Sequence, residues 1–309
     1  MTTTLPARTT RPGTTAPTAR STPSRIHRAD STFHFFLLPT LILFTLAITL
    51  PAIMGIFFSF TDSIGFGEWS FTGFTNYIAL FSDPAVLSSY GFTIGLSLVT
   101  VLLVNVVAFF LAIALTARIR GTVALRTIFV LPMVVSGIII AFVFNFLFSN
   151  SLPAFAESVG FAPLAESMLS NPSLAWVAIS LVTAWQAIPS ALLIYIAGVL
   201  SIPDEVHEAA SLDGASSWAQ LRLITLPLIA GYVLINLVIG FKNFLNSYDI
   251  IVGLTDGGPG TSTRSVAMTI FTGFTSGDYA YQMANATIFF LIALVIALIQ
   301  LRITRGKAF

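Results

Sequence analysis

The sequence predicts an all-α polytopic membrane protein with six transmembrane helices and both termini on the cytoplasmic side. Three observations lead there. Charged residues are only 9% of the 309, against a hydrophobic share of 56%, so the chain cannot cover a soluble globule of its size with polar groups. Six apolar stretches approach or exceed the ~20 residues that a helix needs to cross a bilayer. The basic residues gather at one side of these stretches, as cytoplasmic loops do.

Residues 1–29 come first. They hold Arg8, Arg11, Arg20, Arg25 and Arg28 among many Thr and Pro, with few large apolar residues. Such a segment buries too little apolar surface to offset its ordering entropy. We expect a disordered basic cytoplasmic tail there, followed by one membrane domain over 30–309. The first apolar run is too long for a signal peptide and lacks a small-residue cleavage site. An uncleaved helix is expected.

The spans are expected at 35–60, 92–117, 127–148, 174–200, 228–252 and 283–303. A transmembrane barrel would need alternating segments of ~10 residues, which the sequence lacks. Arg118, Arg120 and Arg126 fall between the second and third spans, Arg222 between the fourth and fifth, and Arg302, Arg305 and Lys307 at the end. Together with the tail they leave only Arg264 and Lys242 elsewhere, and Lys242 lies within a span. Asp62, Glu68, Asp83, Glu157 and Glu166 occupy the opposite loops.

Pro39, Pro51, Pro132 and Pro189 lie inside spans, where proline frees a carbonyl and bends the helix. Pro39 and Pro132 are read as shaping residues. Pro189 follows Trp185 and Gln186, so that cluster is a candidate pathway lining, with Tyr195 six residues beyond it. Asn105 and Asn145 are read as helix–helix contacts.

The fifth span is the unusual one. It carries Asn236, Lys242, Asn243, Asn246, Ser247, Tyr248 and Asp249. Charge within the membrane is costly and usually faces protein or water. Lys242 and Asp249 are seven residues apart, two turns, on one face of a continuous helix. Asn243, Asn246 and Ser247 follow helical spacing. Amide, hydroxyl and aromatic groups suit a sugar, with its hydroxyl rim and apolar face. Interhelical hydrogen bonding is the structural alternative for each of these residues.

Several function classes are excluded. There is no Cys and only three scattered His, so thiolate and clustered-His metal sites have no ligands. No G-x-x-x-x-G-K-[ST] loop occurs, nor any nucleophile with an oriented base. A net charge of +1 gives no case for nucleic acid. The chain is therefore expected to be a non-enzyme with no cofactor of its own.

The loop between the fourth and fifth spans carries Ile202-Pro203, then Glu208-Ala209-Ala210, Gly214, and Ile224-x-Leu226-Pro227. Pro203 suits a first helical turn, Asp204 and Glu205 suit the positive end of the helix dipole, and Gly214 permits a turn. This spacing resembles the EAA loop, here 201–227, of binding-protein-dependent ABC importer permeases. Leu254-Thr255-Asp256-Gly257-Gly258-Pro259-Gly260 resembles the T-x-G-G-P motif of carbohydrate permeases of the maltose and glycerol-3-phosphate type. Phe74-Thr75-Asn76-Tyr77 before Asp83-Pro84 is similar to the same group.

That resemblance, over 35–309, implies the type I importer fold. It implies a permease subunit that translocates a sugar by alternating access: a di- or oligosaccharide, or glycerol phosphate. Its expected partners are a second homologous permease, two ATP-binding subunits that hold ATP and Mg, an extracytoplasmic sugar-binding protein and the bilayer. Glu208, Ala209, Ala210 and Gly214 become the expected coupling contact with an ATPase subunit. Asn243, Asn246, Ser247, Lys242, Gln186 and Tyr195 become the expected substrate pathway. The rival reading is an ion-coupled secondary transporter that uses Lys242 and Asp249 as a charge relay.

Overall fold

The computed structural model describes residues 31–117 and 121–305. The tail expected at 1–29 lies outside the described residues, as do Arg118 and Arg120. The chain divides into two compact units, Met1–Pro51 and Ala52–Phe309. The boundary between these units falls inside the first span.

Among the described residues, twelve helices of seven residues or more follow in order: α1 Phe36–Phe58, α2 Thr75–Ser82, α3 Pro84–Thr116, α4 Thr122–Val134, α5 Gly137–Ser158, α6 Pro172–Leu200, α7 Asp204–Leu212, α8 Ser217–Leu228, α9 Ala230–Leu245, α10 Asp249–Thr255, α11 Val266–Thr275 and α12 Tyr279–Arg305. Five of them are long and apolar enough to cross a membrane, and the bent pair α8–α9 makes a sixth. The 23 residues of α1 extend about 35 Å at 1.5 Å per residue, which covers a hydrocarbon core of ~30 Å. The described backbone otherwise contains a single antiparallel bridge, Thr61 to Phe71.

Three helices contain a π turn, at Thr45–Thr49, Leu147–Ser151 and Leu221–Thr225. Each ends two residues before a proline: Pro51, Pro153 and Pro227. Proline lacks the N–H for the i→i−4 bond, and its ring crowds the carbonyl four residues back. A widened turn just ahead relieves that crowding and keeps the helix running.

In the second unit the core is built on α3 and α6, which share the largest interhelical contact. Small side chains allow it: Ala108, Ala112, Ala178 and Ala184 are buried between larger neighbours such as Leu96, Leu192 and Tyr195. Close approach of small residues replaces the hydrophobic drive that lipid does not supply. Asp83 caps α3 by accepting from the Ala85 N–H (2.9 Å), and Asn171 caps α6 by accepting from the Ser173 N–H (3.0 Å); both helices then begin with a proline.

Two expected spans are interrupted. The third breaks at Val135–Ser136, between a 3-10 turn holding Pro132 and the start of α5. The fifth is not a continuous helix over 228–252. It bends by 66° around Ile229, runs as α9, and breaks again at Asn246-Ser247-Tyr248 before α10. That second break lies where the polar side chains are densest. Asn can bond locally to its own backbone and so competes with the helix.

Candidate functional site

The two breaks face each other. Between them lies a cavity of about 480 Å³, walled by α3, α6, α9, the start of α10 and the 133–137 turn. Gln186, Asn243, Asn246 and Ser247 line it, as the sequence analysis expects. Asn105, Thr183, Asn236, Tyr248 and Asp249 join them.

Four of the wall amides are held by backbone. Asn246 Nδ2 donates to the Lys242 carbonyl (2.9 Å), and Gln186 Nε2 crosses to the Val135 carbonyl freed by the 135–136 break (3.2 Å). Asn236 Nδ2 donates to the Ala191 carbonyl on α6 (3.1 Å), and Asn105 Nδ2 to the Val101 carbonyl (2.8 Å). Asn236 is thus both a cavity wall and an interhelical tie. Asn105, expected only as a helix contact, also reaches the cavity.

Two expected lining residues lie elsewhere. Tyr195 is 1% exposed. Its hydroxyl donates to Asn105 Oδ1, and its ring stands edge-on to Phe109 at 5.8 Å. It sits in the α3–α6 core and orients Asn105. Lys242 is exposed and absent from the cavity wall. Nor does it pair with Asp249: no ion pair joins the two among the described residues. The reason is the break at 246–248, which ends the helical register that would have kept residues seven apart on one face. Asp249 is left alone on the cavity wall. Thr183 was missed because a single threonine in an apolar span carries no pattern; the residue is 4% exposed, and its hydroxyl oxygen is buried without a partner among the described residues.

A second cavity of about 330 Å³ lies at the other end of α10. Asn145, Ser149, Thr255, Asp256 and the Gly258-Pro259 turn line it. Asn145 Nδ2 donates to the Leu254 carbonyl (2.7 Å), tying α5 to α10. Within the T-x-G-G-P stretch the Thr255 and Thr263 hydroxyls meet at 2.8 Å, and Thr263 donates to the Gly258 carbonyl at 2.6 Å. Asp256 at φ 47° and Gly257 at φ 82° turn the chain.

The 201–227 loop is two helices and a turn, as its sequence indicates. Gly214 stands at φ +78°. The Ala215 N–H bonds the Ala210 carbonyl (2.9 Å) and the Gly214 N–H bonds the Ser211 carbonyl (3.1 Å), which is the bonding of a glycine-terminated Schellman end. Gln220 then clips α8 onto α7. Its Nε2 donates to Ser211 Oγ (3.0 Å) and to the Ala215 carbonyl (3.2 Å), while Oε1 meets His207 Nδ1 at 3.3 Å. Glu208, Ala209 and Gly214 are exposed, whereas Ala210 is buried and faces its own chain. The outward face instead carries Leu212, 90% exposed, and Trp218, 64% exposed. These two were missed because they follow the EAA triplet without belonging to it.

Residues 105–306 match the family described as binding-protein-dependent transport system inner membrane component. The chain belongs to this family. It is an ABC importer permease and a multi-pass inner-membrane protein. The permease is 34% identical to the "Probable starch degradation products transport system permease protein" of Thermoanaerobacterium thermosulfurigenes, over 89% of this chain and 94% of that one. It is 32% identical to the multiple sugar-binding transport system permease protein of Streptococcus mutans, over 87% and 94%. Its fold is similar to that of a chain in a bacterial ABC transporter involved in import of the acidic polysaccharide alginate, with TM-score 0.78, 22% identity, and coverage of 90% and 96%.

Proposed function

We propose that this permease translocates a sugar through the 480 Å³ cavity, driven by ATP bound on partner subunits. The cavity carries the reading. It gathers amide, hydroxyl and aromatic groups inside an apolar bundle, and the relatives named above include sugar permeases. Buried polar groups in a membrane protein are expensive, and a passage for a hydroxyl-rich solute accounts for them.

The coupling follows from connectivity. The exposed Glu208, Ala209, Leu212 and Gly214 region would dock on an ATPase subunit, at a surface where Ala210 packs inward. Gln220 locks α7 to α8, and α8 passes through the Ile229 bend into α9, which walls the cavity. A displacement of α7 is thereby delivered to Asn243 and Asn246. The break at 246–248 is where α9 and α10 could change angle, as alternating access requires. ATP and Mg would sit on two ATPase partners. A second permease would complete the passage, a sugar-binding protein would deliver solute outside, and both termini would be cytoplasmic.

The test is uptake in proteoliposomes holding the permease, its partner permease, the ATPases and the binding protein. Uptake should require ATP and survive collapse of ion gradients. The ion-coupled alternative requires the opposite, and among the described residues no ion pair joins Lys242 to Asp249 to serve as its relay.

A further inference from the structure

The cavity is one-sided in its chemistry. Among the described residues Asp249 is the only charged residue on its wall, and no Lys, Arg or His lines it. Lys242, next to Asn243 in sequence, is exposed and off that wall. The amides add to the bias. A backbone carbonyl accepts hydrogen bonds and never donates them, so each amide bonded to one has its nitrogen fixed there. Gln186 Nε2 and Asn246 Nδ2 are held in this way. Their carbonyl oxygens, Oε1 and Oδ1, have no partner among the described residues. The same pattern recurs beyond α10. There Asp256 is the only charge on the wall, no base is present, and Asn145 Nδ2 is engaged by Leu254. Both cavities therefore offer acceptors and a carboxylate. Donors are present too: Gln186 Nε2 and Asn246 Nδ2 each keep a second N–H, and Ser247 and Asn243 add others, but none of these groups carries a positive charge.

An uncharged sugar suits this surface, because its hydroxyls donate to the carboxylate and amide oxygens and accept from the remaining N–H groups. A phosphate or carboxylate brings only acceptors and a second negative charge. It would leave water for a wall with no cation to receive it. Resting on the proposed sugar pathway, we infer that this permease passes uncharged, hydroxyl-rich ligands and turns back phosphorylated or carboxylated ones, with Asp249 as the discriminating group. Glycerol phosphate and uronate cargoes are thereby excluded for this chain.

The test uses the purified importer with both permeases and its ATPases in nanodiscs, without the binding protein, so that selection by the membrane part alone is read. Maltose and trehalose are compared with maltobionate and trehalose 6-phosphate for binding. Uncharged probes should bind about tenfold or more tightly than their charged counterparts, a conservative discount on two like charges ~4 Å apart near a protein surface. Asp249→Asn should narrow that ratio and Asp249→Lys should close or reverse it. Assembly and basal ATPase are checked in each variant, and Asp249→Asn, nearly isosteric, covers a failure of the lysine variant to assemble. Equal affinity for charged and uncharged probes, or a ratio indifferent to both variants, overturns the inference. An Asn243→Ala and Asn246→Ala arm separates the two levels. If those changes weaken binding but the charge ratio is flat, only the discrimination fails. If they leave binding unaltered, or if no probe binds, the cavity is not the sugar site and both readings fall.

Discussion

Gly253 is a point of close approach between α10 and α5. A Cβ added there would lie 2.5 Å from Ala141 Cβ on α5 and 3.1 Å from Ile138 Cδ1. Carbon atoms rest at about 3.5–4.0 Å, so Gly253→Ala requires α10 and α5 to separate by about 1 Å or more. Ile138 Cδ1 is a side-chain end that can swing aside, but Ala141 Cβ is fixed to its helix and cannot. Overpacking of this kind costs about 1–3 kcal/mol, a factor of about five to 150 in the local equilibrium. The displaced helix begins with Asp249 on one cavity and ends with Asp256 on the other. Uptake should therefore fall, and thermal unfolding of the purified importer should shift downward. The companion change Ala141→Gly removes the opposing Cβ and should restore most of both quantities in the double variant, a coupling that independent sites would not show. Unaltered unfolding and uptake in Gly253→Ala, or no rescue by Ala141→Gly, would refute the packing argument.

Other predictions concern the loops. Gly214→Val should cut ATP-driven uptake while leaving sugar affinity intact, because its φ of +78° costs an L-residue about 1–2 kcal/mol; Gly214→Asn should be milder, and equal loss in both would argue against the left-handed requirement. Leu212→Cys should cross-link to a cysteine in an ATPase subunit with nucleotide-dependent yield, and Ala210→Cys should not. The native chain has no cysteine, so topology can be read from single variants: Glu68→Cys and Glu157→Cys should react with an impermeant thiol reagent from outside and Ser216→Cys should not, the reverse pattern contradicting the proposed orientation. Asp62 accepts from the Ser70 N–H (2.6 Å) and Ser70 Oγ (2.5 Å), and the side-chain bond to Ser70, then the backbone one, lowers its carboxyl below the ordinary 3.8. Its support for the 62–70 turn should hold above that value and fade as pH falls through the lowered one. Hydrogen exchange at Ser70 should rise in that window, and Asp62→Asn should make it pH-independent.

Much of this was legible from periodicity and charge, because lipid imposes a length on every span and leaves charged residues only where water or protein receives them. The helix start and turn of the 201–227 loop were legible, since Pro203 and Gly214 carry their own backbone geometry, but which residues face outward was not. The fifth span was legible in composition but not in path. Its polar residues named the cavity, yet assuming one helix put Lys242 and Asp249 on the same face. Asn246 weakens the helix locally, but local propensity does not say that the chain breaks at Asn246-Ser247-Tyr248 and leaves Lys242 off the cavity wall. Tyr195 failed for a related reason. Distance from Pro189 fixes a turn count, while the partner that claims the hydroxyl, Asn105, lies 90 residues away. The π turns before Pro51, Pro153 and Pro227 show the opposite case, in which a residue's missing donor foretells a local distortion that hydropathy alone does not report.

Adjacent residues give the most direct test of the sugar pathway. Asn243 lines the cavity and Lys242 does not. In the complete importer, Asn243→Cys and Lys242→Cys are each treated with a charged methanethiosulfonate reagent, with and without transported sugar. The account predicts that modification at 243 blocks ATP-driven uptake and is slowed by sugar, while modification at 242 is indifferent to sugar. Equal protection at both positions, or free uptake after complete modification at 243, would contradict it.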